Sequence, residues 1–238
     1  MKYRKIALAC GLLLAAALSA VPAFAAEWVI KQSTYYLTAQ QQSFPDFPAP
    51  PAAGSKQDQA DFAVLKEWQL KRTPEDCARA NAGAHAEFKE FFGDMSPFAD
   101  PLPAEAAVIL DRVRADTDWA VYGIKERFKR PRPFLTDKEL EPCLGRAGGK
   151  AYPSGHAAIS RVFALLLADL VPSRRADFLA RADEAALDRV IGGVHHPTDI
   201  EAGKRLADRV YKAFKKSRRF KQDLKALRAL LPARAGAR

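Results

Sequence analysis

Three observations predict that this chain folds as an all-α, single-domain helical bundle. From residue 55 onward, apolar residues recur at helical spacing in one segment after another. Those segments are punctuated by helix signals: Ser or Thr before the first turn, Pro at the first helical position, Gly or Pro at the end. No stretch alternates apolar and polar residues long enough to make a half-buried strand, and no internal repeat is present. The 238 residues are 48% hydrophobic and 28% charged, which excludes a disordered or low-complexity chain. With 13 Gly, 16 Pro and 3 Cys the chain is neither collagen-like nor a disulfide scaffold.

The elements follow in order. Residues 1–25 read as a secretory signal peptide: Lys2, Arg4 and Lys5, an apolar run from Ile6 to Leu18, then the small-residue site Ala23-Phe24-Ala25. The run is shorter than the ~20 residues that span a bilayer, so a retained anchor is the lesser alternative. Residues 26–54 are Pro-rich, with Phe44-Pro45-Asp46-Phe47-Pro48-Ala49-Pro50-Pro51 at their centre, and read as an extended, non-helical arm. Residues 55–238 form the helical domain. Phe62, Leu65 and Trp68 mark a helix ending near Arg72. Thr73-Pro74-Glu75-Asp76 opens a second, expected to run to Phe91-Phe92 and stop at Gly93. A long helix covers about Pro103 to Phe128 and is broken by Arg130-Pro131-Arg132-Pro133. After a loop to Tyr152, Ser154 caps a helix to about Leu170, Pro172-Ser173 opens one to about Gly192, and Pro197 starts another. Residues 217–231 form the last.

The formal charge is +10. Removal of Lys2, Arg4 and Lys5 leaves +7, and the basic excess lies almost entirely in the stretch from Lys204 to Arg238, so the rest of the mature body is mildly acidic. A basic stripe on a C-terminal amphipathic helix is usually a solvated face, and no aromatics interleave with it as single-strand binding would need. Nucleic acid is therefore not an expected partner. No later apolar stretch reaches membrane-spanning length, so stable membrane insertion is not expected either. The mature chain is expected in the periplasm. Cys77 and Cys143 are then either a disulfide or two buried thiols.

Three segments concentrate chemistry. Lys125 is followed seven residues later by Arg132-Pro133, two cations near a Pro-forced helix end. Tyr152-Pro153-Ser154-Gly155-His156 offers a tight turn into a helix N-terminus, where backbone N–H groups and positive potential suit an anion. In the third, Arg189 precedes His195 by six residues, and Asp199 follows His195 by four, a spacing at which a carboxylate can hold an imidazole in one tautomer. Taken singly, each has a bland reading: dipole complement, N-cap, salt bridge. His85, alone on a helix, reads as structural.

Taken together, Lys-x6-Arg-Pro, Pro-Ser-Gly-His and Arg-x5-His-x3-Asp resemble the type 2 phosphatidic acid phosphatase and vanadium haloperoxidase superfamily. Export, size and the Pro-rich arm resemble its class A bacterial non-specific acid phosphatases. The resemblance implies an acid phosphatase in which His195 forms a phosphohistidine, Asp199 orients it, and His156 serves as acid and then base. It implies further that Lys125, Arg132, Ser154, Gly155 and Arg189 bind the phosphate of a small-molecule ester. No metal or other cofactor is expected, with vanadate or phosphate as occupants of the site, and a homo-oligomer is compatible with this reading. The alternatives are a lipid phosphate or lipid-linked pyrophosphate phosphatase at the membrane surface, or a vanadate-dependent haloperoxidase. One departure stands out: Asp188 replaces the usual Ser before Arg189, where it could pair with Arg189 or repel phosphate. Spacing selects His195 over His196, which is expected to line the entrance.

Overall fold

A computed structural model describes residues 32–232. The signal peptide, the first residues of the arm and the last six residues lie outside the described part. Among the described residues every regular element is helical.

Besides hydrogen-bonded turns at 44–47 and 52–55, the arm departs from extended chain in one helical turn, α1 (Ala39–Gln42). Its cause is local: Thr38 and Gln41 close a reciprocal capping box before the prolines begin. The arm is fastened by Asp116, whose carboxylate accepts from the backbone N–H groups of Tyr35, Tyr36 and Leu37 at 2.7–3.0 Å. Tyr36, Leu37 and Phe47 are thereby buried in the main core.

Helix α2 (Lys56–Lys71) starts at a Ser55 cap, and α3 (Pro74–Ala82) at the Thr73 capping box with Pro at its first position. The expected continuous helix to Phe92 is instead two: α3 stops at Gly83, and α4 (Phe88–Phe92) begins after residues 83–87, where Ala86 takes φ +55°. His85 thus lies in the connection and not on a helix, 2.7 Å from Glu90. Helix α5 (Ala104–Phe128) ends at Lys129 in the left-handed region, just before Pro131. A short α6 (Pro133–Thr136) interrupts the loop that follows.

Helix α7 (Gly155–Leu170) is apolar nearly all round, which marks a buried central helix. It packs mainly between α8 (Arg175–Ile191) and α9 (Pro197–Phe214), with α5 alongside and α10 (Arg218–Ala229) over the far end. Phe92, Val113, Phe163, Phe178, Leu206 and Phe214 fill the core between them. α2 and α3 lean on α8. Cys77 and Cys143 form a disulfide with a Cα–Cα distance of 5.9 Å, tying α3 to the loop that precedes α7. No helix among the described residues is long and apolar enough to cross a membrane.

Candidate active site

Three helix ends meet at one place. The Pro-terminated end of α5 brings Lys125, Arg130 and Arg132; the start of α7 brings Ser154, Gly155 and His156; the turn between α8 and α9 brings Arg189, His195 and Asp199. That turn is tight because Gly193 adopts φ +78° with the Pro142 Cα only 3.0 Å from where a Cβ would stand. Both Val194 and His195 donate their N–H groups to the Arg189 carbonyl, which fixes the nucleophile candidate relative to α8.

The His195 ring is buried between two opposite charges. Its Nε2 lies 2.7 Å from Arg132 Nη1 and its Nδ1 3.5 Å from Asp199 Oδ2. A guanidinium can only donate, so Nε2 carries the lone pair and Nδ1 the proton. Arg132 is further held by the carbonyls of Val194 and Gly148, and Lys125 donates to the Lys150 carbonyl. The Asp199 carbonyl accepts from Ser154 N–H at 2.9 Å, which joins the start of α9 to the start of α7. Ser154 Oγ accepts from Ala157 N–H as the helix cap. His156 Nε2 donates to the Ala84 carbonyl at 3.1 Å, so the break between α3 and α4 supplies a contact to the site. Arg189 reaches the Ala80 carbonyl, while its Nε, like Arg132 Nε and His195 Nδ1, has no hydrogen-bond partner and is buried.

Charge is strongly perturbed here. Burial, reinforced by Arg132, pushes Lys125 well below the usual lysine range. Burial and then Arg132 likewise push His195 well down, and burial and then Arg189 do so for His156. Burial lowers both Arg132 and Arg189 to about 10. Burial works to raise Asp199, yet the His195 imidazole 3.5 Å away and the hydrogen bonds from His196 hold it well below the carboxylate range. Crowded, desolvated cations that outnumber the buried Asp199 carboxylate among them make a pocket that a further anion would stabilise.

A PAP2 superfamily model matches residues 112–211, a span that holds all three motifs. A non-specific acid phosphatase of Providencia stuartii is 31% identical over 193 residues, covering 74% of this chain and 76% of that relative. The chain belongs to the PAP2 superfamily. Within the PAP2 superfamily it falls with the non-specific acid phosphatases, as phosphoric monoester hydrolases. An acid phosphatase of Zymomonas mobilis is 32% identical over 134 residues, 53% of this chain and 49% of that relative. A bacterial vanadium-dependent iodoperoxidase shares the fold at a TM-score of 0.57 with 18% identity, over 74% of this chain and 53% of that one.

Two residues of this PAP2 site are placed differently from expectation. His196 does not line an entrance: it is 2% exposed, and both its backbone N–H and Nδ1 bind Asp199 Oδ2, at 2.8 and 2.9 Å. Asp199 is the third residue of α9 and His196 its cap, so capping geometry draws the imidazole inward. Asp188 pairs with Arg79 at 3.1 Å, an arginine on α3 that spacing along the chain could not point to. Sequence reasoning also missed Arg130, Asp58 and Asp61. The available signals were faint: Arg130 shares the Pro-flanked helix end with Arg132, and Asp61 precedes Phe62 on the packed side of α2.

Proposed function

We propose that this chain is an exported, metal-independent acid phosphatase that hydrolyses phosphate monoesters through a phosphohistidine at His195. The observation that carries the reading is the His195 ring itself, with Nε2 facing the cation Arg132 and Nδ1 facing Asp199. In the first step Nε2 attacks phosphorus, the N–P bond forms and the P–O bond to the leaving group breaks. His156 gives its proton to the departing oxygen, and the alcohol leaves. In the second step His156 takes a proton from water, the water oxygen attacks phosphorus, and the N–P bond breaks to release phosphate. Asp199 holds Nδ1–H and stabilises the imidazolium character that develops.

Lys125, Arg132 and Arg189 hold the phosphoryl oxygens with the Ser154 hydroxyl and Gly155 N–H, which is mostly positioning and charge stabilisation. A bound phosphate dianion adds two negative charges to the one that Asp199 supplies. It therefore raises the pKa of Lys125 and His156 on binding, so substrate itself helps protonate the acid. Arg132 must release Nε2 as phosphorus arrives, exchanging the imidazole for a phosphoryl oxygen. Inorganic phosphate and vanadate would occupy the same cradle as inhibitors. The Cys77–Cys143 disulfide supports export to an oxidising compartment such as the periplasm. The lipid-phosphate and haloperoxidase alternatives are less well supported: lipid A 1-phosphatases match only 26% of this chain, and the likeness to the iodoperoxidase is one of fold.

The test is release of p-nitrophenol from p-nitrophenyl phosphate between pH 4 and 8 in excess EDTA. Activity should resist EDTA, and His195→Ala should lower kcat by about 10⁴-fold. Full activity in that variant, or its loss in EDTA, overturns the scheme.

A further inference from the structure

The start of α9 is clamped to α2 by one buried guanidinium. Arg130 Nη1 lies 2.8 Å from both Asp199 Oδ1 and Thr198 Oγ1, and its Nη2 lies 2.8 Å from Asp58 Oδ1 and 3.1 Å from Asp61 Oδ2. Asp61 in turn accepts from the Thr198 N–H at 3.2 Å and from its hydroxyl. The Arg130 carbonyl accepts from Ala151 N–H at 2.8 Å, so the same residue also braces the turn before α7. Arg130, Asp58, Asp61 and Asp199 are all buried.

We propose that Arg130 is a positioning residue for the reaction: by holding Asp199 Oδ1 against α2, it keeps Oδ2 turned toward His195 and His196. The inference rests on the phosphohistidine reading given above. Asp199 has two oxygens and two tasks, and the structure divides them cleanly. Oδ1 goes to Arg130, while Oδ2 is left for His196 and, at 3.5 Å, for His195 Nδ1. Without the clamp only the two His196 bonds to Oδ2 resist rotation of the carboxylate about its terminal torsion, which has broad preferences. Asp58 and Asp61 have a second effect. They share the Arg130 charge, so Asp199 keeps more of its own negative charge for the imidazole than a one-to-one ion pair would allow. The charged and titratable groups around Asp199 are then Lys125, Arg130, Arg132, His195 and His196, with Tyr152 and the two α2 carboxylates beyond them. A Lys in place of Arg130 keeps the charge but lacks the fork that reaches both helices at once.

Arg130→Lys, Arg130→Gln, Arg132→Lys and His195→Ala are to be compared with wild type for thermal midpoint, kcat, KM, pH profile and inhibition by inorganic phosphate. In Arg130→Lys, kcat should fall about tenfold while KM and the phosphate inhibition constant stay within about twofold, because no contact to substrate is lost. In Arg130→Gln the acid limb of kcat/KM should also move to higher pH, since losing a cation raises the pKa of Asp199 and His195. Arg132→Lys, by contrast, should weaken phosphate inhibition. A lowered thermal midpoint with wild-type kcat and pH profile in Arg130→Lys would make the clamp merely structural and sink the proposal. Phosphate inhibition weakened as much as in Arg132→Lys would make Arg130 a ligand instead, and would sink it equally. Should both Arg130 variants fail to fold, Asp61→Asn carries the same readouts, and unchanged kcat there overturns the proposal. An active His195→Ala brings down the phosphohistidine reading, whereas an inactive one beside a normal Arg130→Lys removes only the clamp.

Discussion

Asp188 occupies the position before Arg189 where the resemblance leads one to expect Ser, and its pairing decides what the change costs. The carboxylate turns to Arg79, which also bridges Asp76 at 2.8 Å, so Arg189 is left directed at the Ala80 carbonyl. Burial raises the Asp188 pKa, with Arg79 pulling it back. A carboxyl that holds its proton more firmly when folded contributes most below the unfolded value near 4, and that contribution is lost as pH rises through the folded value. Asp188→Asn should therefore gain stability relative to wild type as pH climbs from about 4, by no more than about 1 kcal/mol because Arg79 is half exposed. Its kcat/KM should stay within about threefold of wild type. Thermal melts across pH beside p-nitrophenyl phosphate kinetics check both, and a tenfold loss of activity would mean that Asp188 does tune Arg189. At this scale the three short motifs, taken together as a family resemblance, singled out His195, Asp199, Arg132 and His156, and each motif is legible because its own residues stand close together in the chain. The pairing of Asp188 with Arg79, and the inward turn of His196, depend on which surface each meets.

Helix α9 approaches α7 so closely at Gly203 that a Cβ there would lie 2.5 Å from the Ser154 carbonyl oxygen and 2.9 Å from Ala157 Cβ. The backbone oxygen cannot move aside as a flexible side chain would. Gly203→Ala should destabilise the protein by about 1–3 kcal/mol and lower kcat, since relief of the clash displaces the turn that carries Ser154, Gly155 and His156. Urea unfolding and steady-state kinetics measure the two effects, and a variant as stable and active as wild type would show that the crossing can relax. Most helices were legible in the sequence because their signals are local: Ser55, Thr73, Ser154, Pro197 and Ser217 all stand at helix starts. The break at residues 83–87 was not. Its residues have nothing that forbids a helix as Pro would, and the gain from opening it comes from outside, where the Ala84 carbonyl meets His156.

At the scale of the whole molecule, the disulfide closes a loop between residues 66 apart in sequence, which chain-entropy arguments value at about 4 kcal/mol. It also restrains the segment whose Gly148 and Lys150 carbonyls hold Arg132 and Lys125. Reduction with dithiothreitol should lower the thermal midpoint and raise KM for p-nitrophenyl phosphate, measured on the same sample before and after; an unchanged KM would uncouple that segment from the site. The sequence by itself determined the all-α class, most helix starts and the three motifs, since caps, prolines, helical periodicity and short spacings act through neighbours along the chain. Only the tertiary structure decided the rest. The Arg130 clamp, the Arg79–Asp188 pair, the choice of disulfide over free thiols and the sharing of Asp199 by two histidines each join residues through burial, and a buried charge takes whichever partner the packing brings within reach.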